Sequence, residues 1–196
     1  TSINASNLLN GTAYSSNISL QLGSWSANMS IEQCGNINKN QCCTKAFSIT
    51  VPNATVPGNY YVNVSVNWTN PDGTLGTNTT SLNVSVQSNP KINVSESILT
   101  GTAGDGANLH LFNFTVLSIG NDALQNIVFN CSSGTACSDF VVNFTPTNVA
   151  SLNMGSNYSI AVNVTVPLGY PVGNYSGIIN VSTQNDGYKN LTLNVS

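Results

Sequence analysis

Asn157-Tyr158-Ser159-Ile160-Ala161-Val162-Asn163-Val164-Thr165-Val166 decides the fold. Tyr158, Ile160, Val162, Val164 and Val166 fall on one face at a spacing of two, with Asn157, Ser159, Asn163 and Thr165 on the other. Period two is the signature of a half-buried antiparallel strand, because successive side chains on a pleated strand point to opposite faces. Asn63-Val64-Ser65-Val66-Asn67-Trp68-Thr69 and the stretch 190–196 repeat the pattern. No segment carries a convincing helical period, so the chain reads as all-β.

The same strands are filled with Asn-x-Ser/Thr triplets, the acceptor pattern for N-glycosylation. In the first half they begin at Asn4, Asn10, Asn17, Asn28, Asn53, Asn63, Asn67, Asn78, Asn83 and Asn93. The second half adds Asn113, Asn130, Asn143, Asn157, Asn163, Asn174, Asn180, Asn190 and Asn194. With 32 Asn, and 44 Ser and Thr among 196 residues, random placement gives roughly seven triplets, against nineteen here. In a strand the Asn and the Ser/Thr share a face while the middle residue points the other way. Many middle residues are apolar: Ile18, Val64, Trp68, Val84, Val94, Phe114, Phe144, Val164, Val181, Leu191 and Val195. Polar strand faces alone would explain the period but not the choice of Asn, which strands avoid. The pattern therefore predicts an exported chain with a dense sugar coat.

Composition agrees. Four Lys, no Arg and seven carboxylates make 6% charged residues, against about 25% in ordinary domains, so amides and glycans must supply solubility. A net charge of −3 without a basic patch argues against nucleic acid as a partner. No apolar run reaches the roughly 18–20 residues needed to span a membrane. A start at Thr1 rather than Met is read as cleavage of an export signal. Five cysteines fit an oxidising, extracellular compartment. Cys131 and Cys137 are close enough to close a small loop, and Cys34 pairs with Cys42 or Cys43, leaving one thiol over. Alternation with Phe47, Ile49 and Val51 puts Cys43 inward and Cys42 outward.

An internal repeat organises the chain. Val51-Pro52 followed by Val56-Pro57-Gly58-Asn59-Tyr60 recurs 115 residues later as Val166-Pro167 followed by Pro171-Val172-Gly173-Asn174-Tyr175. Each copy is a strand, a Pro/Gly turn and a Tyr-led strand. Turn chemistry follows at Asn70-Pro71-Asp72-Gly73 and Asn185-Asp186-Gly187. The expected layout is a tail over 1–15, a β-sandwich over 16–88 and a second over 91–196, both immunoglobulin-like, with Ser88-Asn89-Pro90 as linker. In the tail, Ile3, Ala5, Leu9 and Ala13 share one alternating face, interrupted by Asn7 and Gly11. A strand added to a sheet of its own domain or of a neighbour would hold such a tail in place.

Catalytic material is scarce. His110 is the only His, so a Ser-His-Asp arrangement has one base and no supporting motif. Glu32 and Glu96 fall in different expected domains, and no calcium-loop spacing connects Asp105, Asp122 and Asp139. No enzyme, metal or cofactor is expected beyond covalent glycans. Trp68 shares the phase of Val64 and Val66 and reads as core, while Lys45 shares the inward phase of Phe47.

Thr1 start, strand-like tail, two all-β repeats and saturation with sequons together make the chain resemble the archaeal thread pilins. That resemblance implies a structural subunit joining identical subunits in a homopolymer by donor-strand complementation, carrying many N-glycans, in an extracellular cell-surface filament. It also implies that Ile3, Ala5, Leu9 and Ala13 form the donor face, and that cell contacts run through glycans. The alternatives are a secreted carbohydrate-binding or adhesin module and a surface-layer component.

Overall fold

The computed structural model describes residues 2–8, 10–28, 30–106 and 109–196, and of Leu109 and His110 only the backbone. The chain is all-β and separates into two compact units, 1–87 and 88–196.

In the first unit the strands are β1 (Ser2–Ser6), β2 (Ala13–Gln21), β3 (Ser26–Ala27), β4 (Ile31–Ile37), β5 (Cys42–Ala46), β6 (Ile49–Thr50), β7 (Gly58–Thr69) and β8 (Leu75–Val86). Four of them make an antiparallel sheet in the order β4-β2-β7-β8, and two short ribbons, β1-β5 and β3-β6, complete the unit. The β7–β8 hairpin closes on Asn70-Pro71-Asp72-Gly73, where the Gly73 N–H donates to the Asn70 carbonyl at 2.9 Å and Asp72 accepts from the Thr74 N–H at 2.9 Å. The tail expected over 1–15 is shorter than its apolar spacing implied: β2 already begins at Ala13. Ser15 sits at φ 48° in an irregularity of the β2–β4 and β2–β7 pairing, which breaks the alternation and hides the strand's start from a sequence pattern.

The second unit contains β9 (Ile92–Val94), β10 (Ile98–Gly101), β11 (Leu109–Ser118), β12 (Leu124–Ser133), α1 (Thr135–Asp139), β13 (Val141–Thr145), β14 (Asn148–Leu152), β15 (Asn157–Thr165), β16 (Tyr175–Thr183) and β17 (Gly187–Val195). They form a five-stranded sheet, β10-β17-β16-β12-β14, and a four-stranded sheet, β13-β15-β11-β9. All pairings are antiparallel except β10 with β17. The inner faces of both sheets meet in one core that includes Phe114, Val116, Leu124, Ile127, Val162, Ile179 and Leu193, each at most 1% exposed. Phe114 packs edge-on against Phe129 at 5.9 Å between centroids. The five-residue α1 escapes any periodicity analysis because it is little more than one turn. Gly134 before it has φ 91°, and a Cβ there would lie 2.4 Å from the Ser176 carbonyl oxygen.

One side-chain device explains the internal repeat. The Tyr60 hydroxyl donates to the Val56 carbonyl at 2.7 Å, and the Tyr175 hydroxyl donates to the Pro171 carbonyl at 2.7 Å. Each tyrosine reaches back four residues to clamp the turn that introduces its own strand. In the second unit Tyr175 also joins Phe140 and Tyr170 in a cluster with all ring centroids 5.1 Å apart.

Phe114 fills the centre of the second core, so Phe114→Ala should destabilise that unit by about 3–5 kcal/mol. Denaturant unfolding followed by circular dichroism measures the loss.

Candidate functional site

The pleat sorts most of the glycosylation triplets as the alternation predicted, while Tyr158, placed by its phase with Ile160 and Val162, is exposed at the start of β15. None of the nineteen sequon asparagines is buried. All eleven apolar middle residues named above are buried or half-buried. Asn17, Asn67, Asn163, Asn180 and Asn194 are half-buried, and the other fourteen are exposed. The five lie on β2, β7, β15, β16 and β17, each of which has a neighbouring strand on both sides. Asparagines meet across these strands. Asn130, Asn180 and Asn190 stand in one row across β12, β16 and β17, with Asn180 Nδ2 donating to Asn190 Oδ1 at 3.0 Å. Asn17 faces Asn67, whose Nδ2 donates to Asn17 Oδ1 at 3.2 Å, and Asn143 faces Asn163. Neutral amides thus meet side by side on these strands.

The tail makes a second feature. β1 pairs antiparallel with β5, Ile3 opposite Lys45, Ala5 opposite Cys43 and Ser6 opposite Cys42. Ala5 is buried with Ile18 and Val64 in the small core of the first unit, and Ile3 packs against that cluster. Leu9 lies outside the described residues, and Ala13, though buried, is the first residue of β2. Asn7, which the sequence presents as a break in the apolar face, is 5% exposed and anchors the chain. Its Nδ2 donates to the carbonyls of Ile37 at 2.7 Å and Gly11 at 2.9 Å, and its N–H donates to Gln41 at 2.9 Å. A buried amide of this kind is tolerated because its hydrogen bonds are made inside the fold.

Beside β1 lies a cavity of about 360 Å³, walled by Ile3, Ala5, Val64, Val66, Trp68 and Thr80. Trp68 faces inward as its phase predicts, with its ring over Gly76, where a Cβ would come 2.3 Å from the indole. Its Nε1–H donates to Asn70 Oδ1 at 2.8 Å. Trp25 instead packs at a tilt against Tyr60, 5.0 Å between ring centroids.

Disulfides join Cys34 to Cys43 and Cys131 to Cys137, so Cys43 is the partner of Cys34 and Cys42 is left as an exposed thiol. The inward phase of Cys43 decides this choice: it points under the sheet toward Cys34 while Cys42 points to solvent.

The ionisable groups are dispersed. Lys45 Nζ meets Glu32 Oε2 at 3.2 Å, in a depression lined by Ile3, Ile18, Leu20 and Phe47. Asp105 accepts from the Gly169 N–H at 2.7 Å, and Asp122 from the Ser88 hydroxyl at 2.7 Å. Asp139 accepts from the hydroxyls of Ser138 and Tyr170. These bonds hold Asp122 and Asp139 below the usual carboxylate range, as the Thr74 hydroxyl and N–H do for Asp72. The Asp139 carboxylate in turn pushes the Tyr170 hydroxyl up to about 12. Among the described residues no three His, Cys, Asp or Glu side chains gather where they would hold a metal ion. The His110 side chain lies outside the described residues.

The sequence matches no protein-family model and no curated protein. Among solved structures it is similar to the PapD-like domain 7 of human CEP192, with 10% identity over 54% of this chain and 84% of that one, at a TM-score of 0.43. It is also similar to domains 4 and 5 of the S-layer protein SbsC, with 18% identity over 71% of this chain and 66% of that one, at a TM-score of 0.39. A family 123 glycoside hydrolase from Clostridium perfringens is similar at 10% identity, over 55% of this chain but 27% of the hydrolase, with a TM-score of 0.41. At these identities and scores none bears on function. No helix among the described residues is long and apolar enough to cross a membrane.

A carboxylate held below its unfolded value contributes stability that is present above the unfolded value and lost as pH falls through the folded one. With Asp72, Asp122 and Asp139 all lowered, the melting temperature should stay level from neutral pH to about pH 5 and fall only through and below the ordinary carboxylate range. Thermal melts across a pH series check the profile.

Proposed function

We propose that this chain is a structural subunit of an extracellular surface filament, polymerising head to tail by donor-strand complementation and densely N-glycosylated. The observation that carries the reading is β1, a five-residue strand held in a two-stranded ribbon beside an open pocket of mixed polar and apolar lining. Among the described residues β1 pairs with β5 alone, so its ladder is a two-stranded ribbon, and releasing it costs the burial of Ala5 and the hydrogen bonds of Asn7, which the same segment of a second copy would restore. The tail of a second copy would remake the same ladder against β5, and exchange of an identical element between copies is a low-cost route to assembly. Ile3 and Ala5 are the donor residues in this reading. Leu9 would extend the donor, while Ala13 stays with β2 of the acceptor's own type of sheet. The same tail seated in trans would also lie against the open pocket walled by Val64, Val66 and Trp68.

Glycans fit the same picture. All nineteen sequon asparagines are accessible at least in part, fifteen of them on strands and four in loops, in a chain with 6% charged residues. Two disulfides suit an oxidising exterior. The partners are identical subunits, no nucleic acid or cofactor is invoked, and the role is mechanical rather than catalytic.

Ser6 stands directly opposite the free Cys42, which supplies a direct test. In a filament built by strand exchange, Ser6→Cys should couple the tail of one subunit to Cys42 of the next and yield a ladder of covalent multimers on non-reducing gels. Ser6→Ala, which equally removes the Asn4 sequon, should yield none. Fibres of Ser6→Cys subunits that run only as monomers would exclude exchange. Electron microscopy of native material supplies the broader check: fibres are expected, planar arrays would favour a surface-layer component, and glycan-binding monomers a carbohydrate-binding module.

A further inference from the structure

Fifteen large apolar side chains are exposed among the described residues, on surfaces where Asn, Ser and Thr prevail. Seven of them stand two places before a sequon asparagine. Five of these lie on strands: Tyr61 before Asn63, Leu111 before Asn113, Val128 before Asn130, Val141 before Asn143 and Tyr188 before Asn190. Leu8 and Val172 precede Asn10 and Asn174 in loops. Unrelated placement of fifteen residues against nineteen sequons in 196 positions would produce between about one and two such coincidences.

The spacing has a geometric meaning. Residues two apart on a strand share a face about 7 Å apart, and directly opposed residues on paired strands are about 5 Å apart. In each unit one exposed apolar residue is flanked in both directions. Tyr61, 69% exposed, has Asn63 along its strand and Asn83 directly across. Leu111, 62% exposed, has Asn113 along its strand and Asn163 directly across. A pyranose attached to an asparagine Nδ2 reaches over a neighbour at this range. One face of such a ring presents axial C–H groups, which pack on aliphatic carbon or on the electron-rich face of a tyrosine ring.

We propose that these exposed apolar residues are seats for the first sugar of the glycan on the asparagine two places further on, with Tyr61 and Leu111 each covered from two asparagines. The inference rests on occupancy of the sequons and goes beyond it: the glycan becomes part of the packing and covers carbon that the polypeptide leaves in water. The sheets therefore complete their outer faces with sugar, as they complete their inner faces with the core. Tyr61 and Tyr188 offer aromatic seats, and the aliphatic seats work through contact area alone.

The test uses the glycosylated protein from its producing host. Glycopeptide mass analysis first reads Asn63 and Asn83. With glycan present, NMR should give cross-relaxation between Tyr61 ring protons and protons of the attached pyranose. Tyr61→Ser should lower the melting temperature of the first unit by several degrees. In the Asn63→Gln, Asn83→Gln background the same substitution should do almost nothing, because the coupled partner is gone. Leu111→Ser against Asn113→Gln, Asn163→Gln repeats the cycle in the second unit. Occupied sites with no cross-relaxation and equal losses in both backgrounds would overturn the seats while leaving glycosylation intact. Bare asparagines at these positions would overturn both.

Discussion

The pleat of the β-strand is the constraint on which the rest of this molecule depends. Residues one apart must point to opposite faces and residues two apart to the same face. In most Asn-x-Ser/Thr triplets on strands the Asn stays accessible and the middle residue turns toward the core, Thr79 and Tyr158 being exposed middle residues. Val64, Phe114, Val164, Val181, Leu191 and Val195 are all buried middle residues, so the hydrophobic core is threaded through the glycosylation signals. Core and surface cannot be varied independently in such a chain. Moving a triplet by one residue would bury an amide and expose a valine or phenylalanine.

The two units use this constraint to different extents. The second unit closes its sandwich, and its core of Phe, Ile, Leu and Val residues runs through both sheets. Among the described residues of the first unit, the buried apolar cluster that includes the tail consists of Ala5, Ile18 and Val64, with Ile3, Cys34, Cys43 and Leu82 among the side chains packed around it. Its four-stranded sheet is accompanied by two-stranded ribbons rather than a second full sheet, and the β1–β5 ribbon packs against its core residues Ile18 and Val64. The Cys34–Cys43 disulfide ties β4 to β5, the strand against which the tail docks. A covalent tie restricts the unfolded chain and compensates for a thin core.

Much of this was legible in the residues. Strand phase, inward Trp68 and Cys43, and the hairpin turn at Asn70-Pro71-Asp72-Gly73 all follow from alternation and turn chemistry that operate over a few neighbouring residues. The Val-Pro…Gly-Asn-Tyr repeat was visible as a pattern, but its purpose was not: the Tyr60 and Tyr175 clamps depend on a hydroxyl reaching a carbonyl four residues back. Three features were hidden. Ala13 belongs to β2 because an irregularity at Ser15 breaks the alternation, and no composition rule marks a bulge of that kind. Asn7 reads as a flaw in an apolar face and is a buried anchor, because its partners Ile37 and Gln41 are supplied by chain thirty residues away. Helix α1 is too short to show a period.

By itself the sequence determined the all-β class, the facing of the sequons, the poverty of charge and the internal repeat. Each is a property of local periodicity or of composition, which survives without knowledge of which strand neighbours which. Tertiary structure alone decided that β1 pairs with β5 and that a pocket walled in part by Trp68 opens beside it. It alone set Tyr61 opposite Asn83 and Leu111 opposite Asn163. Those facts are matters of register between strands distant in the chain, and register is fixed by the summed packing of the sheets rather than by any one segment.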